Sequence, residues 1–187
     1  MQPLIDSGYR VISYDGPAHG ETAGRQTNML EISDVILALS ERYGPFHCTI
    51  THSFGGMILA YSIALGFNTA SAICICPPAT IESILHNFQR ALMLPDKVMK
   101  VMTDLLYENY GSDLERRVST LKNVRTLSMP ALVIHDDMDT DIPWKDGSAV
   151  ADAWPGAEFM LTHGLGHRRI LRDPAVITAI TEFIRKI

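Results

Sequence analysis

Thr51-His52-Ser53-Phe54-Gly55-Gly56 lies between an apolar β-type run, Phe46 to Thr51, and an apolar helical run, Met57 to Leu65. Strand, serine, helix is the order of the G-x-S-x-G elbow, in which a tight turn lifts a hydroxyl above the end of a sheet. Thr51 stands where that pattern has its first Gly. The turn tolerates little bulk beside it, which Gly55 and Gly56 supply, and it leaves the Phe54 amide directed at whatever binds Ser53. A serine between small residues after a strand is also an ordinary βα turn, so the motif alone does not define a chemistry.

The order of later motifs narrows the choice. Ile134-His135-Asp136-Asp137-Met138-Asp139 leaves a strand-like run, and Gly164-Leu165-Gly166-His167 follows another. Near the start, Gly8 to Asp15 leads into Gly16-Pro17-Ala18-His19-Gly20. With these pieces in the order serine, acid, histidine, the sequence resembles the α/β-hydrolase superfamily, in its esterase and lipase-like branch, over nearly its whole length. The resemblance implies an α/β fold with a mostly parallel sheet flanked by helices. It also implies roles: Ser53 as nucleophile, His167 as base, Asp139 as the acid behind it, and the Phe54 backbone N–H as an oxyanion donor.

Each role has rivals. Asp136, Asp137, Asp139 and Asp141 all compete for the acid. The family pattern His-Gly-x-x-Asp-x-x-Val-Pro, written here from His135 to Pro143, selects Asp139 and puts Asp136 where the Gly stands. An exposed acidic loop fits the other three. His163 competes with His167, but Gly166 frees the loop to carry the later ring over the sheet. His52 is expected to point away from Ser53 and pack, and Asp15 and His19 to serve as turn makers.

The 187 residues suit one domain, read here as 1–187 with a helical cap inserted at about 80–128. A hydrophobic fraction of 47% with 20% charged residues is that of a globular protein, and a net charge of -5 argues against a nucleic-acid partner. Cys48, Cys74 and Cys76 are expected as buried thiols without metal-type spacing, which points to a reducing, cytoplasmic setting. No apolar run reaches membrane-span length, so no membrane partner is expected. The implied chemistry needs no cofactor and no metal.

Tyr9 to Tyr14 alternates like a strand, and Ser71 to Cys76, Ala131 to His135 and Ala157 to Thr162 read as buried strands. Asn28 with Glu31 predicts a capping box opening a helix that Gly44-Pro45 stops, and Asp173-Pro174 opens the last helix. Thr80 to Ser128 carries three helical patterns with no strand between them, the third opened by Ser112 and Glu115. In the family, an insertion here caps the site. Met93, Met99, Met102, Tyr107 and Tyr110 are expected mainly to pack.

One departure stands out. The second oxyanion donor of the family comes from a loop after a strand that precedes the Tyr9 strand, and only eight residues precede Tyr9. That missing strand belongs between the Tyr9 strand and the elbow strand. Three outcomes follow: an N-terminally truncated longer hydrolase, direct pairing of the two strands, or a strand from a second copy, which would make a homo-oligomer. The resemblance thus implies a hydrolase of a small-molecule carboxylic ester, acting through an acyl-enzyme. A non-catalytic binding protein on the same fold is the alternative, and lyase or perhydrolase chemistry a third.

Overall fold

A computed structural model describes residues Met1 to Ile187. Four strands pair in parallel and in chain order: β1 (Thr49–His52), β2 (Ala72–Ile75), β3 (Ala131–Asp136) and β4 (Glu158–Thr162). Every residue of β2 and β3 is buried, and alternate side chains serve opposite faces. Ala72, Cys74, Ala131 and Val133 pack with Leu59, Val124, Val150 and Trp154 on one side. Ile73, Ile75, Leu132 and Ile134 meet Ile170, Val176, Phe183 and Ile184 on the other.

Helices cover both faces. Short α1 (Gln2–Asp6) precedes α2 (Met29–Tyr43), and α3 (Phe54–Ala64) follows the elbow. The Asn28 side chain accepts the Leu30 and Glu31 amides at 3.0 Å each, so the expected N-cap forms. The box is only half made, because Glu31 accepts the Thr27 hydroxyl at 2.9 Å instead of reaching back. Asp173 caps the last helix through the Ala175 and Val176 amides at 2.9 and 3.1 Å.

Between β2 and β3 lie four helices: α4 (Ile81–Leu92), α5 (Asp96–Tyr110), α6 (Leu114–Val118) and α7 (Thr120–Val124). The third expected pattern is therefore two short helices, broken at Ser119, whose ψ of 118 is extended rather than helical. The Ser112–Glu115 box does not form. Asp113 occupies the N-cap, and its carboxylate pairs with Arg116 and Arg117 at 3.2 and 3.3 Å. Ile81, Leu114 and Val118 anchor the insertion on Met29, Met57 and Ile58. Met93, expected to pack, is instead 88% exposed, because α4 ends there in a left-handed turn at φ 52.

After β3 come α8 (Trp144–Ala153), β4, the one-turn α9 (Gly166–Arg169) and α10 (Pro174–Lys186). β4 is an outer strand with Glu158 and Phe159 exposed, not the buried strand its sequence suggests. The larger correction concerns Tyr9 to Tyr14, which forms no strand. Tyr9 stacks on His47 with ring centroids 5.7 Å apart and donates its hydroxyl to the Ile184 carbonyl at 3.5 Å, while Tyr14 is exposed. A β-former without a ladder partner gains nothing from the extended state, and the segment makes no bridge to β1. Direct pairing of the two segments is thus excluded. β1 is the other outer strand; with Ile50 38% exposed, its free backbone groups meet solvent instead of an apolar gap.

Candidate active site

β1 ends at His52 and α3 begins at Phe54, so Ser53 is the whole connection. Its amide donates to the Ile75 carbonyl at 2.8 Å, which ties it to the sheet while φ 56 and ψ -130 reverse the chain. Such a conformation costs a non-glycine residue about 1–3 kcal/mol and persists only where surroundings impose it. Gly56 is one such constraint: a Cβ there would lie 2.8 Å from Pro77 Cβ, so only Gly lets α3 approach the end of β2. Thr51 fits in place of the first Gly, its hydroxyl donating to the Ile73 carbonyl at 3.3 Å. As the first helical residue, Phe54 has an amide without an intrahelical acceptor.

Beyond β3, Asp139 Oδ2 accepts the His167 Nδ1 hydrogen at 2.7 Å, and the two side chains are 0% and 10% exposed. Oδ1 accepts the Asp141 and Ile142 amides at 2.9 Å each. Burial alone would raise the Asp139 carboxyl. Hydrogen bonds from His135, His167 and the Ile142 amide outweigh it and hold the group well below the usual carboxylate range. A fixed anion against Nδ1 sets the tautomer of His167 and leaves Nε2 free to take a proton.

Asp136 does not sit in an exposed acidic loop as expected: it is completely buried. Its carboxylate accepts the Gly166 amide at 2.7 Å, the Thr162 hydroxyl at 2.7 Å, and the Leu165 and Met138 amides at 3.0 Å. Burial pushes its pKa up, and these four donors pull it below the ordinary value. Asp136 thereby ties the loop carrying Asp139 to the loop carrying His167. The sequence signal was the departure itself, an Asp where the related pattern has Gly. Asp137 adds a second tie, accepting His163 at 2.8 Å and the Gly164 amide at 3.2 Å. His163, the rival base, is thus an exposed residue whose pKa the Asp137 carboxylate raises.

His52 packs, as expected, but against His167 itself. Its Nε2 lies 2.8 Å from the His167 carbonyl, and the rings are 4.5 Å apart, tilted by 45°. Burial lowers its pKa, which favours the neutral ring. Asp15 and His19 bond within their own loop, to the Glu21 amide at 3.0 Å and the Pro17 carbonyl at 2.9 Å. Cys76 Sγ lies within 4.8 Å of a ring nitrogen of both His52 and His167, and equally close to His135 and Asp139. Most of these donors are already engaged: His52 with the His167 carbonyl, His167 with Asp139, and His135 with the Ile142 carbonyl. The cluster is therefore a hydrogen-bond network. Ser53 makes no hydrogen bond to His167. Beside His167 an open hollow of about 330 Å³ is walled by Thr140, Asp141, Leu165, Arg168 and Arg169.

Comparison with solved structures gives the same architecture. A candidate non-heme bromoperoxidase from Mycobacterium tuberculosis superposes with a TM-score of 0.76 at 19% identity, covering 99% of this chain and 84% of that one. A Rhodococcus esterase gives 0.70 at 18%, covering 99% and 84%. A Bacillus anthracis bromoperoxidase gives 0.71 at 17%, covering 100% and 85%. At such identities the likeness shows the fold alone. No curated protein matches by sequence. The profile of the Alpha/beta hydrolase family aligns with residues 1–180, spanning the elbow, the acid loop and the histidine loop described above, and the chain belongs to that family.

Proposed function

We propose that the chain is a serine hydrolase of small carboxylic esters or related acyl bonds, acting through an acyl-enzyme. The observation that carries this reading is the buried 2.7 Å hydrogen bond from His167 to Asp139, at the same rim of the sheet as the strained Ser53 turn. Ser53 Oγ attacks the acyl carbonyl carbon as His167 Nε2 takes its proton. The oxyanion receives the Phe54 amide. Collapse expels the alcohol, protonated by His167, and water activated by the same nitrogen then releases the acid. The serine–histidine contact has to tighten when substrate binds, which is common in unliganded sites. Esterase is also the activity named for the Rhodococcus neighbour.

The helical insertion serves as the cap; Arg90 of α4 donates to the Thr140 carbonyl at 3.3 Å, beside the acid loop. No helix is long and apolar enough to cross a membrane, and the free cysteines suit a cytoplasmic enzyme. A second reading, a non-catalytic binding protein, is favoured by the absence of a hydrogen bond on the Ser53 hydroxyl and by the single identified oxyanion amide. One lost donor lowers turnover by about 10²- to 10³-fold, so slow hydrolysis is expected even on the first reading. A fluorophosphonate probe separates the two: labelling that vanishes in Ser53→Ala supports the hydrolase, and no labelling of the native chain supports the binding protein.

A further inference from the structure

Asp139 has more partners than holding His167 requires. His135 Nε2 lies 3.3 Å from Asp139 Oδ2 and 3.1 Å from the Ile142 carbonyl. Both neighbours are acceptors, so the ring hydrogen sits on Nε2 and is shared between them. The other nitrogen, Nδ1, is buried with no partner. It is pressed against Gly147, where a Cβ would lie 2.3 Å away. The whole side chain is 0% exposed, on β3 directly before Asp136.

A leucine would fill this space without burying an unpaired nitrogen, an arrangement that disfavours folding. What leucine cannot do is present a donor to Oδ2. The backbone amides of Asp141 and Ile142 fix only Oδ1. Oδ2, the oxygen that meets His167, is braced as well by His135 Nε2 at 3.3 Å. Without that brace only the two Oδ1 amides and His167 itself oppose rotation of the carboxylate about its Cβ–Cγ bond, so that rotation widens and carries the His167 ring with it.

We propose that His135 is a positioning residue, which locks Oδ2 of Asp139 and through it the orientation of His167; the catalytic consequence rests on the hydrolase reading above. Gln and Asn at position 135 separate reach from polarity. Gln extends its amide to the place of Nε2, whereas Asn stops near Nδ1 and misses Asp139.

The test compares His135→Gln, His135→Asn and His135→Leu in the full chain, with p-nitrophenyl acetate turnover and the downfield proton resonance of the His167–Asp139 hydrogen bond. Asn and Leu should lose kcat by about 10- to 100-fold with KM within about twofold, the size expected for a misplaced catalytic group. Their downfield resonance should broaden into solvent exchange, while Gln keeps both signals near the native ones. A sharp resonance in Asn or Leu, or an identical loss in all three, overturns the proposal and assigns His135 to packing, as does failure of all three to fold. If the native chain does not hydrolyse the ester, the hydrolase reading fails, and the resonance alone still decides the role of His135.

Discussion

The two ends of the proposed Ser–His–Asp set are built differently. Asp139 and His167 hang from β3 and β4 through a mesh of wholly or partly buried hydrogen bonds, in which Asp136 alone accepts four. Ser53 hangs from β1, an outer strand with a half-exposed face, and its hydroxyl makes no hydrogen bond. Asp139 and His167 are organised by side-chain networks before any ligand arrives. Ser53 is organised by the path of the backbone, through the strained turn and the close approach of Gly56 to Pro77. Pre-organisation thus sits on the half with a buried carboxylate, where loose donors would cost most.

Mutations on the two halves should differ accordingly. Asp139→Asn should give the largest loss, about 10⁴-fold in kcat, because an amide favours the wrong tautomer of His167. Steady-state hydrolysis with a near-native circular dichroism spectrum would check it, and activity within tenfold of native would contradict the set. Asp136→Asn should come next, destabilising by about 2–4 kcal/mol in urea unfolding because the half-buried Leu165 and Gly166 amides lose a buried charged acceptor.

Acid offers a third probe. Asp136 and Asp139 are both held below the ordinary carboxylate range. A depressed carboxyl contributes stability that is fully present above its unfolded value, about 4, and is lost as pH falls through its folded value. The urea midpoint should therefore fall as pH drops from about 5 toward 2, and fall less steeply in Asp136→Asn. A midpoint flat across that window would mean that the network is not formed. Ile50→Lys, on the outer strand, should change stability by no more than about 0.5 kcal/mol, because the side chain already meets water. A large loss would show that β1 is covered after all.

The middle of the sheet was legible because strands buried on both faces appear as unbroken apolar runs, as at Ser71 to Cys76 and Ala131 to His135. The tight turn at Ser53 and the pairing of Asp139 with His167 were legible through turn chemistry and chain order. Tyr9 to Tyr14 misled because alternation records what a strand could bury, not whether a partner exists to receive its ladder. Asp136 misled for the opposite reason. Three of its four donors come from Thr162, Leu165 and Gly166, some thirty positions along the chain, and beyond the Asp that replaces the Gly of the related pattern nothing local announces a carboxylate satisfied from such a distance. The break at Ser119 was likewise invisible, since Leu114, Val118 and Val124 are all buried and the apolar spacing runs through it.

Because β2 and β3 are sealed on both faces while β1 and β4 flank them, amide protons should trade with deuterium in a graded order. The amides of Ile73 to Ile75 and Leu132 to Ile134 would be the last to go, and those of Thr49 to His52 would go earlier. Asp139, just past sealed β3, would then keep its footing through partial openings of β1 that release Ser53, so that on the proposed hydrolase reading reactivity fades first by losing the serine hydroxyl.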